Sequence, residues 1–281
     1  MRPLFAVLAM VLTAGLTVGC SEVVDKTRSP APTGCFIGHA DEPLHLTAEQ
    51  TFNAAVIAAV GLREGMDDQA VTVAIATAFQ ESQLANIDYG DRDSLGLFQQ
   101  RPSVGWGTEE EILDPVYASF KFYEKLRHID GWKDMAVTEA AQAVQISAHP
   151  DLYAQWEDEA LIVAAAFAGG QEAGVTCIAG TTRADSTDAA ALAEAYAYQW
   201  GAEVSAVEDR TVAIAADEET AGWNRASWAV AKSHEYDIAS VEYAGMRWEP
   251  GEDGWVRPEG EVTEVAAADE SIVHITLNIP E

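Results

Sequence analysis

The spacing of apolar residues changes several times along the chain, and each change predicts a different kind of structure. Leu4 to Val18 is an apolar run without charge. Residues 20–34 are polar and carry two prolines, which predicts an extended tether. Three- and four-residue spacing then takes over and predicts helices. Thr47, with Gln50 three residues on, predicts a capped start to an apolar helix. A second helix is expected after Asp67, with Val71, Ala74, Ile75, Ala78 and Phe79 on its apolar face, fading near Ala85. Residues 86–108 have no periodicity and read as a loop. Asp114-Pro115 predicts a third helix with a stripe of Val116, Phe120, Tyr123 and Leu126. Thr138 is expected to cap a helix through Ser147, which His149-Pro150 ends. Leu152 to Ala168 predicts a last helix, stopped by Gly169-Gly170.

Residues 35–177 are thus expected to be almost wholly helical, and 178–191, small and polar, to be a linker. Beyond it the texture becomes strand-like at Thr211–Ala215, Ile238–Tyr243, Met246–Trp248 and 271–279, with a helix over Trp223–Ser233. The fold class expected is a mainly α domain followed by a small α+β domain over 192–281. No internal repeat links the two.

The apolar N-terminal run follows Arg2, is too short for a stable spanning helix and reads as a signal peptide over residues 1–19. It closes with Leu16-Thr17-Val18-Gly19-Cys20, which resembles the bacterial lipobox. That resemblance implies cleavage before Cys20 and diacylation (palmitate among the acyl chains) of Cys20. The mature body is then expected outside the cytoplasm, lipid-anchored at the outer face of the cell membrane. An exported compartment permits disulfides, and Cys35 and Cys177 bracket the helical stretch as a staple would. The net charge of −30, from 46 acidic and 16 basic residues, argues against nucleic acid or an anionic lipid surface as a partner.

The candidate chemistry sits at the end of the second predicted helix. Phe79-Gln80-Glu81-Ser82 is followed by a polar loop and then by Ser94-Leu95-Gly96-Leu97-Phe98-Gln99-Gln100. This pairing resembles the soluble lytic transglycosylases and goose-type lysozymes, over about residues 45–170. The run from Gly90 to Gly107 is similar to a subgroup of actinobacterial lysozyme-like exported proteins. The resemblance implies Glu81 as catalytic acid/base and a substrate cleft involving Ser82, Gly96, Phe98, Gln99, Tyr117 and Gln145. Gln145 stands where that family generally has Asn. Residues read directly agree with the assignment. Cleaving a glycosidic bond needs a proton on the leaving oxygen, so the acid must keep its proton near neutral pH. Glu81 lies at the edge of an apolar face, late in its helix, away from the favourable N-terminal end of the dipole; both features should raise its pKa. Trp106, Tyr89 and Tyr117 offer flat faces for sugar rings. Asp88, Asp91 and Asp93 read as turn formers.

The C-terminal stretch resembles a zinc-dependent peptidase-like domain of exported proteins. Its expected His and Asp ligands would fall at Ala206 and Ala213, with only His274 left in the last strand. One histidine cannot hold a zinc ion. The domain is expected to be non-catalytic, and no metal or cofactor is expected anywhere in the chain.

The function expected is cleavage of peptidoglycan glycan strands by a single-Glu mechanism, as a lytic transglycosylase or a muramidase. The alternative is a non-catalytic peptidoglycan-binding or scaffolding lipoprotein. Its partners would be peptidoglycan glycan strands, the membrane through Cys20, and a wall enzyme docked on 192–281.

Overall fold

A computed structural model describes residues 33–39, 43–147, 149–178, 188–251, 253–258 and 271–278. The expected signal peptide, Cys20, most of the tether and linker residues 179–187 lie outside these. The protein is α+β: a helical region over about residues 48–167 is followed by an antiparallel sheet region with helices. No helix among the described residues is long and apolar enough to cross a membrane.

The elements run in this order: β1 (Gly34–Ile37), β2 (Leu44–Leu46), α1 (Ala48–Arg63), α2 (Asp68–Ser82), α3 (Glu109–Ile112), α4 (Pro115–Leu126), α5 (Val137–Gln145), α6 (Glu157–Phe167), β3 (Val175–Ile178), α7 (Ala189–Trp200), β4 (Ala206–Glu208), β5 (Thr211–Ala215), α8 (Glu219–Ala231), α9 (Ser233–Tyr236), β6 (Ile238–Tyr243), β7 (Met246–Trp248), β8 (Trp255–Val256) and β9 (Ile272–Leu277).

Local chemistry accounts for the helix starts. Thr47 and Gln50 make the reciprocal capping box, Asp67 accepts from Ala70 N, and Asp114 accepts from Val116 N ahead of Pro115. Two expectations shift. The helix expected from Thr138 begins at Val137, after Ala136, because the carboxylate of Glu139 reaches back to Ala136 N and satisfies that end. The helix expected from Leu152 begins only at Glu157; Pro150–Trp156 forms 3-10 turns instead.

The region expected to be almost wholly helical is closed by strands at both ends. Sheet order β2-β1-β3 puts Cys35 directly opposite Cys177, and the two form a disulfide 142 residues apart in sequence. Closing a loop of that length removes about 5 kcal/mol of unfolded-chain entropy in the simplest accounting. Within the region α1 is buried without interruption from Asn53 to Gly61. A helix apolar all round belongs at a centre, and α2, α4, α6, α7 and α8 all pack on it.

The second sheet is antiparallel, in the order β4-β5-β9-β6-β7-β8, with α8 against it. Gly222 on α8 is required there: a Cβ would lie 1.9 Å from the ring of Tyr243. This sheet and the helices share one core. Trp248 Nε1 donates to Thr176 Oγ1 (3.0 Å) and Trp255 Nε1 to Val175 O (2.8 Å), so β3 is held from both sides. Asn224 of α8 closes α6, donating to Ala168 O and accepting from Gly170 N. The described residues, from Thr33 onward, form one compact unit. Helix α7 was not foreseen, and its first turn uses the last residues of the expected linker.

Candidate functional site

Glu81 is the penultimate residue of α2, and three sets of contacts fix its surroundings. The first holds the chain just after it. Gln83 and Leu84 both take left-handed backbone angles (φ 57° and 58°) and end the helix, with Gln83 N bonded to Phe79 O and Leu84 N to Ala78 O. Gln50 and Asn53 of α1 donate to Gln83 O (2.9 Å) and Leu84 O (2.7 Å). The end of α2 is therefore tied to the centre of the fold.

The second set brings in the Gly-Leu-Phe-Gln segment. Leu95 and Gln100 exchange both backbone hydrogen bonds and close residues 95–100 into a tight loop. Gly96 makes that loop possible: its φ is +72°, and a Cβ would lie 2.7 Å from Ile112 O. Ser82 Oγ donates to Leu97 O at 2.8 Å, stitching the loop to α2. Phe98 is buried and stacks on Phe122 with ring centroids 4.7 Å apart.

The third set lies on the 3-10 segment Pro150–Trp156. Trp156 stacks on Phe79 and donates through Nε1 to Gln80 Oε1 (3.0 Å), which pins the segment along α2. Tyr153 is thereby fully buried, and its hydroxyl donates to Glu81 Oε1 at 2.7 Å. Gln145, the last residue of α5, donates through Nε2 to the same Oε1 at 3.2 Å and to Phe98 O at 2.8 Å. Oε2 of Glu81 has no hydrogen-bond partner among the described residues.

Burial raises the Glu81 pKa, and the hydrogen bonds from Tyr153 and Gln145 pull against that rise. Burial, together with the neighbouring Glu81 carboxyl, pushes the Tyr153 phenol well above its usual range, so it stays a donor. With both donors on Oε1, Oε2 is the oxygen available to take a proton when the carboxyl is neutral. A neutral carboxylic acid so arranged can donate outward. Positive φ recurs beside the residues just described: at Gln83 and Leu84 after the end of α2, at Gln99 after Phe98 and at Ile146 after Gln145. Such strain concentrates where a fold over-determines a site.

The expected substrate-contacting residues divide. Gln145 and Glu81 are in direct contact. Ser82, Gly96 and Phe98 are buried and build the loop, which makes them supports in place of surface contacts. Gln99 is half-buried and donates to Tyr89 O and Gly96 O. The Tyr117 hydroxyl donates to Trp106 O, away from any bond to Glu81. Asp93 is occupied by Arg101 and by Ser103 N, whereas Asp88 and Asp91 are exposed. Tyr153 escaped the sequence reading. Its signal was a phenol inside a segment bound for the core, because a buried Tyr hydroxyl needs a partner.

In the second sheet, β4, β5 and β9 place Ala206 opposite Ala213 and Ala213 opposite His274. The three positions named from the peptidase-like resemblance thus share one row across the sheet. Among the described residues the one grouping of three metal-ligating side chains is Cys35, Cys177 and His234, and its sulfurs are joined in the disulfide. No protein-family model matches the chain, and no curated protein matches it.

Proposed function

We propose that the protein cleaves peptidoglycan glycan strands with Glu81 as its acid and base, from a lipid anchor on Cys20 at the outer face of the membrane. The observation that carries this reading is the Glu81 carboxyl: desolvated, with Oε1 held by Tyr153 and Gln145 and Oε2 without a partner among the described residues. A surface carboxylate at a helix end would have none of these features. The proton on Oε2 passes to the glycosidic oxygen as the C1–O bond breaks and positive charge develops on the sugar. The resulting carboxylate is stabilised by its two donors. It then takes a proton from the attacking hydroxyl as the new bond to C1 forms.

Neither residue bonded to Glu81 is acidic, and Asp93 is committed to its own loop. That supports the sugar's own 6-hydroxyl as nucleophile, giving a 1,6-anhydro end, over water activated by a second carboxylate. The alanines at 206 and 213, in one row with His274, support a non-catalytic role for the second sheet. The test is release of soluble muropeptides from purified peptidoglycan by the wild type and by Glu81→Gln. The reading requires the variant to lose on the order of a hundredfold or more in rate, the low end of what a positioned general acid supplies.

A further inference from the structure

A pocket of about 400 Å³ lies beside α4, lined by Val104, Trp106, Lys121, Glu124, Lys125 and His128 among others. Its charges are unevenly spent. Lys121 is ion-paired with Glu124. Lys125 has no ion pair among the described residues; its ammonium sits 4.2 Å from the centre of the Trp106 ring. Partial burial lowers the Lys125 pKa, as expected for a cation that has lost water and gained no counter-ion. His128 Nδ1 lies 2.6 Å from Glu124 O and so donates to it, which leaves Nε2 open. Val104 is 61% exposed and supplies an apolar wall.

We propose that this pocket binds a carboxylate-bearing sugar, with the carboxylate on Lys125 and the pyranose ring against Val104 and the edge of Trp106. Lys125, without an ion pair among the described residues, matches a singly charged carboxylate; a phosphate dianion would meet the Glu124 carboxylate with charge left over. The volume exceeds what a bare ion needs and suits a ring. The field of a chain with net charge −30 repels anions. A preference for an acid over its neutral counterpart therefore has to come from local groups, within a screening length of about 8 Å at physiological salt. The inference stands apart from the role of Glu81.

The experiment titrates the purified protein with two matched pairs, following amide and indole NMR shifts. N-acetylmuramic acid is set against N-acetylglucosamine, and glucuronic acid against glucose. At least one acid should bind about tenfold more tightly than its neutral partner, the scale of one charge-assisted hydrogen bond. Lys125→Met, which keeps the alkyl stem, should abolish that preference. Lys133→Met should leave it intact: Lys133 also lies over a tryptophan, Trp132, but is paired with Asp67. Tighter binding of the muramic acid identifies a lactyl carboxylate of wall glycan as the source, and tighter binding of glucuronic acid a uronate polymer. No preference for either acid, or a preference that survives Lys125→Met, overturns the proposal. Retained binding by Glu81→Gln keeps this result separate from that of the cleavage assay.

Discussion

The hydroxyl of Tyr153 donates to Oε1 of Glu81 at 2.7 Å, joining residues 72 positions apart. The bond fixes which carboxyl oxygen is left to hold a proton. It also opposes the rise that burial imposes on the Glu81 pKa.

Tyr153→Phe should therefore raise that pKa further, because it removes a bond that favours the ionised carboxyl. The alkaline limb of glycan cleavage, where loss of the Glu81 proton ends activity, would move to higher pH. Stability should fall by roughly 1 kcal/mol, the net worth of one hydrogen bond. A pH–rate profile and a thermal melt read the two effects separately.

Gln145→Ala strips a donor from both Glu81 Oε1 and Phe98 O. Leaving those acceptors short should cost about 1–3 kcal/mol. Gln145→Glu should be worse than Gln145→Ala at neutral pH, since a second carboxyl would face the first. Urea denaturation of the two variants at neutral pH checks the order.

The pH dependence of stability follows from the direction of the Glu81 shift. Its folded pKa lies above the ordinary value of 4.5, so the native state holds this proton more tightly than the unfolded chain. The stabilising contribution is complete below the ordinary value and is lost as pH rises through the folded pKa. Glu81→Gln has no proton to lose. Its melting temperature relative to wild type should improve from about pH 4 to about pH 8, spanning the ordinary carboxyl value. Paired melts at the two pH values test this, and an improvement in the opposite direction would contradict a raised pKa.

Replacing Cys35 and Cys177 together by serine should destabilise the protein by about 2–5 kcal/mol. The disulfide joins β1 to β3, and β3 also receives Trp248 and Trp255. Loss of the bond should therefore loosen both halves at once, in a single cooperative transition. Tryptophan fluorescence and helical circular dichroism followed together distinguish one transition from two.

Much of this was legible in the chain. Capping by Thr47, Asp67 and Asp114 needs only neighbours, so local chemistry located α1, α2 and α4. Glu81 stood out through the resemblance carried by Phe79–Ser82 and Ser94–Gln100; its place late in a helix was the local signal. The short strands were not legible: β1 is four residues long and β2 three, and β3 pairs in its sheet with β1, about 140 residues away. The same holds for Tyr153. Read locally, Leu152–Trp156 continues a helix; the pairing of Trp156 with Phe79 and Gln80 holds the segment in 3-10 turns and turns Tyr153 toward Glu81. Ser82 and Phe98 were expected at the substrate; both are buried, Ser82 bonded to Leu97 O and Phe98 stacked on Phe122.

If Glu81 protonates a glycosidic oxygen of peptidoglycan, release of glycan fragments depends on its carboxyl. Mass spectrometry of the material released from purified peptidoglycan, by wild type and by Glu81→Gln side by side, tests it most directly. Fragments with 1,6-anhydro ends are expected from the wild type and none from the variant. Reducing ends lost in the variant would keep Glu81 as the acid and require a second group to activate water. No release by the wild type, or equal release by both proteins, would contradict the claim.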